Sequence, residues 1–475
     1  MRTELYIGGE WRASSDGATI SVVDPATEKA FADVASATVD DAIAAVDAAY
    51  EAGAVWARKA PRERAEVLRR SYELVVANRQ TMAELIVREN GKCLRDALGE
   101  VDYAAEFFRW FAEEAVRSSG AISRSPRSDN RIVVLHQPIG VSVLVTPWNF
   151  PAAMATRKIG PALAAGCAVV LKPASATPLT ALMVADLLSQ AGVPDGVVNV
   201  IPSRHSGEVV GRMLHDPRVR KLSFTGSTEV GRTLLAQAAD CIVSCSMELG
   251  GNAPFIVLED ADIDAAVTGA MVAKMRNGGE ACTAANRFYV HKQVLGEFQE
   301  KFLAAMQALR MGPGLSPDVD LGPLVNKATR DKVHALVEQA VSQGAKVLTG
   351  GEKSPGVGYF YPPTVLSEVA AGSDILREEI FGPVAPIVAF DSDDGAAASA
   401  NDTEYGLVAY LYTQNLKRGM ALSERLEAGM VALNRGLVSD PAAPFGGVKQ
   451  SGLGREGGHE GMLEYVEKKY IAVEW

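Results

Sequence analysis

Two side chains in this sequence occupy positions that suit covalent and acid–base chemistry. Cys282 lies in RNGGEACTAANR, a glycine-marked segment between a helix-like run and a short strand. A thiol there, beside backbone N–H groups, can have a lowered pKa and act as a nucleophile. Glu248 lies in MELGGNAPF and follows an apolar strand, so it offers a carboxylate that could serve as a general base. Taken alone, the two residues also fit a packing cysteine and a solvated loop glutamate.

The other cysteines and the histidines offer no comparable site. Cys167, Cys241 and Cys245 lie in apolar runs and are predicted to be inert packing residues. Five cysteines without metal-ligand spacing, in a chain of 475 residues, predict free thiols and no disulfide framework. The six histidines form no HExxH-like pair, so the sequence predicts no metal site.

The segment FTGSTEVGRT, residues 224–233, has the pattern of an anion-binding loop. Gly226 frees the backbone and Ser227 can cap the following helix, which would direct N–H groups and the helix dipole at a pyrophosphate. The segment differs by one residue from a P-loop, because Arg232 stands at the lysine position. A nucleotide hydrolase or kinase is therefore the competing class, and a capped turn without a ligand is the simplest alternative.

Further polar groups follow two other apolar runs. Asn149 lies in PWNFP, a rigid corner after VSVLV that could aim an amide into a cleft. Lys172 and Ser175 lie in LKPAS, which ends the next run. Parallel strands bring their carboxyl ends to one edge of a sheet, where such sheets bind ligands. We therefore expect Lys172, Ser175 and Ser227 at one edge.

The elements that must position these residues alternate between strand and helix. From Arg131 onward, short β-branched runs are separated by helix-length segments, which predicts parallel sheets with crossover helices. The two series of predicted strands are 141–145, 168–171, 197–201, 220–224 and 242–247, then 254–258, 288–290, 386–390, 407–413 and 430–434. We predict two α/β halves that meet near Gly250 and Gly251 and pack directly on each other.

The opening third is predicted to be rich in helix, with short strands at 5–11 and 19–24 and helices at 40–52 and 61–90. The segment 121–130 and the C-terminal tail EYVEKKYIAVEW lie outside the main sheets. Unpaired strands of this kind favour pairing with a second chain, although a flexible loop and a frayed terminus fit the pattern equally well.

Composition excludes several classes of protein. With 48% hydrophobic and 22% charged residues the chain is not disordered, and 475 residues exceed a single small module. The net charge of −11 and the lack of a Lys/Arg-rich run argue against nucleic acid or anionic lipid as a partner. No signal-peptide pattern and no apolar stretch near 18 residues occur, which predicts a cytoplasmic protein without a membrane span.

Seven motifs, from about Leu5 to the end of the chain, resemble the aldehyde dehydrogenase superfamily: TPWNFP, LKPAS, FTGSTEVG, MELGGNAPF, GGEACTAANR, EEIFGPV and PFGGVKQSGLGRE. The resemblance implies two Rossmann-like α/β domains, one for the cofactor and one for catalysis, with a small β oligomerisation element. The implied bounds are 1–119 and 139–250 for the cofactor-binding domain, 251–450 for the catalytic domain, and 120–138 and 451–475 for oligomerisation. The implied assembly is a homodimer or homotetramer.

The resemblance also implies a role for each motif. Cys282 attacks an aldehyde as thiolate, Asn149 and the backbone N–H of Cys282 hold the oxyanion, hydride leaves for NAD(P), and Glu248 activates the hydrolytic water. Lys172 binds the adenosine ribose and Ser227 the pyrophosphate. The full set of implied cofactor-binding residues is Thr146, Trp148, Lys172, Ser175, Gly226, Ser227, Glu379 and Phe381.

Within the superfamily the sequence most resembles the succinate-semialdehyde dehydrogenases, through NFPAAMATRK, KMRNGG and VSDPAAPFGG. This implies that Arg157, Arg276 and Ser439 clamp a distal carboxylate, and that succinic semialdehyde is oxidised to succinate. Ion pairing at a surface is the alternative role for the two arginines. Glutarate semialdehyde or a general aliphatic aldehyde are alternative substrates, since one methylene changes affinity by only about 1 to 3 kcal/mol. A catalytically silent homologue that binds cofactor is a third class.

The resemblance bears on the choice of cofactor through one position. In the family, a glutamate three residues after the LKP lysine favours NAD⁺ by repelling a 2′-phosphate. Ser175 stands at that position and adds no negative charge, while Lys172 supplies a positive one. We therefore expect NADP⁺ to be accepted and preferred over NAD⁺.

Overall fold

The structure of the protein is a computed structural model that describes residues 1–474. The strands of the first part are β1 (Leu5–Ile7), β2 (Glu10–Arg12), β3 (Thr19–Asp24), β4 (Lys29–Ala35), β5 (Ala121–Arg124), β6 (Arg131–Pro138), β7 (Val141–Val145), β8 (Val169–Lys172), β9 (Val198–Val200), β10 (Val219–Thr225) and β11 (Ser244–Glu248). The helices of this part are α1 (Val39–Trp56), α2 (Pro61–Ala77), α3 (Arg79–Asn90), α4 (Leu94–Glu114), α5 (Pro151–Ala165), α6 (Pro178–Gln190), α7 (Ser206–Leu214) and α8 (Thr228–Ala239).

The second part begins after Gly251. Its strands are β12 (Ala253–Val257), β13 (Ala285–His291), β14 (Lys346–Thr349), β15 (Thr364–Ser367), β16 (Val384–Phe390), β17 (Val408–Tyr412), β18 (Met430–Leu433), β19 (Gly452–Leu453) and β20 (Val466–Val473). Its helices are α9 (Ile263–Met275), α10 (Leu295–Gln307), α11 (Lys327–Ser342), α12 (Asp393–Asn401), α13 (Leu416–Ser423) and α14 (Glu460–Leu463). Short 3-10 turns lie at Arg276–Gly279, Asp374–Leu376 and Lys449–Ser451.

The first large sheet has the strand order β19-β11-β10-β7-β8-β9-β1-β2. Its five central strands, from β11 to β9, are parallel, and every residue of β7 and β8 is buried. Helix α5, which follows β7, is buried along its whole length and packs on β7 and β8. Burial of the strands and the helix explains the continuous apolar runs in the sequence. The parallel pairing of strands that are joined by helices confirms the predicted parallel sheet with crossover helices.

The second large sheet has the order β14-β15-β16-β13-β12-β17-β18 and is parallel except for β14. Its core includes an aromatic cluster in which the ring of Phe255 lies 5.1 Å from Tyr412 and 5.3 Å from Phe288, centroid to centroid. Offset aromatic contacts at such distances stabilise a core beyond simple burial. Two parallel α/β sheets confirm the predicted fold class.

A third sheet consists of three antiparallel strands in the order β20-β6-β5 and shares no strand with the two large sheets. It leaves large apolar side chains in solvent, since Ile122 is 71% and Tyr470 is 59% exposed. Of the segment 451–475 expected to serve oligomerisation, only β20 lies in this sheet. Residues Gly452–Leu453 instead pair with β11 at the edge of the first sheet, and Trp475 lies outside the described residues.

Three local expectations were wrong. The strand expected at 5–11 is a β1/β2 hairpin, because Gly8 and Gly9 adopt positive φ angles that turn the chain. The helix expected at 61–90 is divided at Asn78, whose amide donates to the carbonyl of Leu74 between α2 and α3. Cys241 is exposed beyond α8 and does not pack in the core, since the strand predicted at 242–247 begins only at Ser244.

In residues 1–474, no helix combines the length and the apolar composition that crossing a membrane requires.

Candidate active site

The carboxyl ends of four parallel strands meet at one edge of the first sheet. Val145 of β7 is in register with Lys172 of β8 and with Phe224 of β10, and Thr225 is in register with Glu248 of β11. Thr146 and Gly226 each follow directly after one of these strand ends. The strand register therefore gathers predicted groups from motifs that are far apart in sequence.

Next to this edge, a cleft of about 250 Å³ lies between the two large sheets. Seven of the predicted residues line it, namely Trp148, Asn149, Gly226, Ser227, Cys282, Glu379 and Phe381. The predicted residues outside its lining are Thr146, Arg157, Lys172, Ser175, Glu248, Arg276 and Ser439. Residues that line the cleft but were not predicted are Pro147, Met154, Thr225, Leu249, Gly250, Thr329 and Lys332.

Cys282 lies in the loop between the 3-10 turn Arg276–Gly279 and β13. The sequence allowed a lowered pKa for this thiol, but burial raises its pKa to about 12. The positive charge of Arg157 acts in the opposite direction, as does that of Arg276, whereas Glu379 and Glu248 raise the pKa further. The thiol is therefore protonated at neutral pH, and its ionisation needs help from a ligand or a base.

Glu248 is 3% exposed, and neither of its carboxylate oxygens has a hydrogen-bond partner in residues 1–474. Burial, followed by the nearby charge of Glu456, raises the pKa of Glu248 well above its ordinary value. Gly446 leaves the space beside it, since a Cβ there would lie 2.9 Å from Glu248 Oε1. A carboxyl group with a raised pKa and free oxygens suits proton transfer near neutral pH.

Asn149 is buried in the corner between β7 and α5, two residues before the helix begins. Its side-chain Nδ2 donates one hydrogen bond to the carbonyl of Glu280 at 3.0 Å, and its Oδ1 has no partner in the described chain. An amide nitrogen carries two hydrogens, so one N–H of Asn149 remains available toward the cleft that the residue lines. This is the donor that an oxyanion beside Cys282 requires.

The two arginines expected to bind a carboxylate differ in their surroundings. Arg157 on α5 is 1% exposed, and its guanidinium Nε lies 2.5 Å from Glu456 Oε2. Arg276 is only partly buried and stacks on the ring of Phe150 at 5.0 Å. No carboxylate within residues 1–474 pairs with Arg276. Arg276 donates through Nη2 to the Thr283 hydroxyl at 3.5 Å and has no anionic partner in the described chain, whereas Arg157 is paired with the buried Glu456.

Ser439 lies in the loop after β18 and is partly buried, and its hydroxyl has no hydrogen-bond partner within the described chain. Its role in binding a carboxylate stays a prediction.

The residues at the sheet edge fit a dinucleotide. Lys172 is 5% exposed and has no hydrogen-bond or carboxylate partner among the described residues, and burial lowers its pKa to about 8. An unpartnered buried amine is suited to a ligand's hydroxyl or phosphate oxygen. Ser227 caps α8, and a Cβ at Gly226 would lie 2.4 Å from the ring of Phe224, so a larger residue there would force the Phe224 ring to move.

At the other end of the cleft, the Glu379 carboxylate accepts from the backbone N–H of Gly251 at 3.2 Å, and burial raises its pKa to about 7. Phe381 adopts the left-handed region with φ +58°, and its ring meets Trp148 edge-on at 5.4 Å. A non-glycine residue in this conformation is held by its surroundings. Lys332, which sequence analysis missed, donates to the carbonyl of Glu379.

Ser175 follows the end of β8 by three residues, and its place beside the adenosine ribose stays a prediction. Its hydroxyl donates to the carbonyl of Ser203 at 2.9 Å, in the loop that follows β9. The next residue, Arg204, is exposed, and no carboxylate lies within ion-pair distance of it in residues 1–474. Sequence analysis did not single out Arg204, which lies in the loop after the strand next to β8.

Comparison with known proteins agrees with this architecture. Residues 11–471 match the model of the aldehyde dehydrogenase family. The chain is 54% identical to a succinate-semialdehyde dehydrogenase of Paenarthrobacter nicotinovorans, over 93% of this chain and 98% of that protein. It is 47% identical to a glutarate-semialdehyde dehydrogenase of Pseudomonas putida, over 100% and 98%. A crystal structure described as an NADP-dependent enzyme of E. coli superposes with a TM-score of 0.99 at 46% identity, covering 100% and 98%.

Proposed function

The chain belongs to the aldehyde dehydrogenase family, and from this premise we propose that it oxidises succinic semialdehyde to succinate with a nicotinamide dinucleotide. The observation that carries the substrate is Arg276, a guanidinium without a carboxylate partner in the described chain, whose charge acts on the Cys282 thiol. A planar cationic fork suits a carboxylate, and succinic semialdehyde carries one at the end opposite its aldehyde. The relative from P. nicotinovorans named for this activity supports the same substrate.

Three residues carry the proposed chemistry. The Cys282 sulfur bonds to the aldehyde carbon as thiolate, and the developing oxyanion takes hydrogen bonds from Asn149 Nδ2 and from the backbone N–H of Cys282. A bound nicotinamide, held by the residues assigned below, would supply the acceptor for the hydride of that carbon, and the carbon would then be joined to Cys282 as a thioester. Glu248 then takes a proton from water as the water attacks the thioester, the carbon–sulfur bond breaks, and Cys282 is released as thiolate.

For the cofactor, we assign Lys172 to the adenosine ribose, Ser227 and the N-terminus of α8 to the pyrophosphate, and Glu379 with Phe381 to the nicotinamide riboside. The remaining residues assigned to the cofactor are Thr146, Trp148, Ser175 and Gly226. The unpartnered Lys172 ammonium and the turn at Gly226 before α8 support this assignment.

A steady-state comparison tests this function. We expect kcat/KM for succinic semialdehyde to exceed that for butanal, the uncharged aldehyde of equal length, because only the former pairs with Arg276. Equal values would contradict the proposal.

Glutarate semialdehyde is the second candidate, favoured by the P. putida relative, and an extra methylene alters affinity by only about 1 to 3 kcal/mol. A higher kcat/KM for glutarate semialdehyde would replace the first assignment by the second.

We further propose that NADP⁺ is preferred over NAD⁺. Lys172 ends β8, Arg204 lies in the loop after the neighbouring strand β9, and Ser175 adds no negative charge beside Lys172. A 2′-phosphate would therefore meet attraction from both cations. The E. coli structural neighbour described as NADP-dependent supports the same preference.

Replacing Ser175 with glutamate is expected to lower kcat/KM for NADP⁺ by about 10- to 100-fold and to spare NAD⁺, because a carboxylate there would repel a 2′-phosphate. The measurement is kcat/KM for each cofactor in the parent and the variant. Ser175→Ala, which removes the hydrogen bond to Ser203 without adding charge, is the matched control and should retain the parent's cofactor ratio. A parent enzyme that used NAD⁺ far better than NADP⁺ would show that residue 175 does not decide the choice.

We also propose that the chain forms a homodimer or homotetramer through the three-stranded sheet. Ile122 and Tyr470 are large apolar side chains left exposed on this sheet, and a second copy of the chain would cover them. The proposed domain division remains 1–119 with 139–250, then 251–450, with β5, β6 and β20 as the oligomerisation element. Sedimentation analysis distinguishes the dimer from the tetramer.

A further inference from the structure

A buried lysine, Lys92, lies directly behind the corner that carries Asn149. Lys92 and its partner Glu100 on α4 have fully buried side chains, and Lys92 Nζ lies 2.5 Å from Glu100 Oε2. The same ammonium donates to the backbone carbonyl of Asn149 at 2.7 Å. It also lies 4.2 Å from the ring centre of the next residue, Phe150. None of the proposed chemical steps uses this lysine.

The contacts of Lys92 belong to a network that holds the corner from behind. Asn90, at the end of α3, donates through Nδ2 to the carbonyl of Trp148 at 3.1 Å. Asn277 donates through Nδ2 both to the Asn149 carbonyl, at 2.8 Å, and to the Glu280 carbonyl that accepts from Asn149. The backbone around Asn149 is thus held by side chains from α3 and from the loop before Cys282.

Glu100 connects the network to helix α5. Its Oε1 accepts from the backbone N–H groups of Ala152, at 2.9 Å, and Ala153, at 3.4 Å, in the first turn of α5. A carboxylate at that point satisfies N–H groups that the helix itself cannot. The ion pair of Lys92 and Glu100 therefore joins the backbone of Asn149, two residues before α5, to the first turn of α5.

We propose that Lys92 is a positioning residue that sets the orientation of the Asn149 amide toward the aldehyde oxygen, with Glu100 as the group that holds Lys92 in place. Burying this ion pair costs free energy, because both charges lose their contacts with water. A small displacement of an oxyanion donor weakens its stabilisation of the transition state. A buried ion pair that fixes the position of the donor would therefore increase the rate of the reaction. The inference rests on the proposed role of Asn149 in the reaction.

Phe150 extends the same arrangement to the substrate end. Its ring contacts the Lys92 ammonium at 4.2 Å and the Arg276 guanidinium at 5.0 Å. A cation against an aromatic ring is an attractive and oriented contact. Because Lys92 could influence Arg276 through Phe150, the test of its action on Asn149 uses butanal, an aldehyde without a carboxylate.

The test is a double-mutant cycle on the rate of the first hydride transfer, measured in a single turnover with butanal and saturating NADP⁺. Lys92→Met is the direct variant, and Lys92→Met/Glu100→Gln is the second, which leaves no unpaired buried charge. Each is expected to slow the transfer by about 10- to 100-fold in the parent and to have little further effect in an Asn149→Ala background. The dissociation constant for NADP⁺ should stay within about twofold of the parent.

Lys221→Met is the matched control, because Lys221 is also buried and pairs with a glutamate, Glu464, at 3.1 Å. It should lower the melting temperature without slowing hydride transfer. An equal factor for the Lys92 variants in the parent and in Asn149→Ala, or no effect in the parent, would overturn the inference. If Asn149→Ala alone left the rate unchanged, the failure would lie with the proposed oxyanion donor of the reaction.

Discussion

Replacing Cys282 with alanine is expected to reduce aldehyde oxidation by at least about 10⁴-fold while leaving the dissociation constant for the dinucleotide nearly unchanged. The reason is that the thiol forms the covalent bond to the aldehyde, whereas the cofactor is assigned to other residues. Initial rates of reduced-cofactor formation and a fluorescence titration with NADP⁺ measure the two effects on the same preparation.

Two other cysteines provide matched controls for Cys282. Cys241 is exposed and Cys245 is partly buried, and neither lines the cleft. Alanine at either position should leave turnover within about twofold of the parent, as is usual for substitutions away from a site. An active Cys282→Ala variant, or an equal loss in Cys245→Ala, would show that the nucleophile has been assigned wrongly.

The second large effect is expected on Glu248, because the hydrolysis of the thioester depends on it. Glu248→Gln keeps the size of the side chain and removes its basicity, so steady-state turnover should fall by about 10²- to 10⁴-fold. The first hydride transfer should be less affected. Stopped-flow absorbance of reduced cofactor should therefore show a rapid burst of one equivalent per active site, followed by a slow steady state.

The burst separates two roles that the structure makes possible for Glu248. The pKa of the Cys282 thiol is raised to about 12, so a base that deprotonates it would also matter in the first step. Loss of the burst in Glu248→Gln would assign Glu248 to thiol activation and contradict its assignment to water alone. Glu456→Gln is not a suitable control, because Glu456 pairs with Arg157 and Lys158.

The strand ends could be predicted from the sequence because they depend on local patterns. Lys172 and Glu248 each end an apolar run, and parallel strands place their carboxyl ends together whatever the rest of the chain does. The fold class followed from the same runs. The break at Asn78 could not be predicted, because the residues around it keep helical periodicity and the helix is divided by local hydrogen bonding.

Contacts between distant segments account for the other differences. The pairing of Arg157 with Glu456 joins α5 to the loop before α14, and no pattern near either residue indicates it. The hydrogen bond from Ser175 to Ser203 likewise depends on how the loops after β8 and β9 pack. The raised pKa of Cys282 could not be predicted, because a loop position gives no measure of burial.

We expect Arg276 to select an aldehyde with a distal carboxylate, which kcat/KM for succinic semialdehyde and for butanal measures in the parent and in Arg276→Ala. Because Arg276 is only partly buried, we expect a loss of about 2 to 3 kcal/mol, about 30- to 150-fold, for succinic semialdehyde and much less for butanal. Arg70→Ala, which removes an exposed arginine whose Nε donates to the carbonyl of Ala191, should alter neither value. An equal loss for both aldehydes in Arg276→Ala would show that the arginine is structural and would contradict the account.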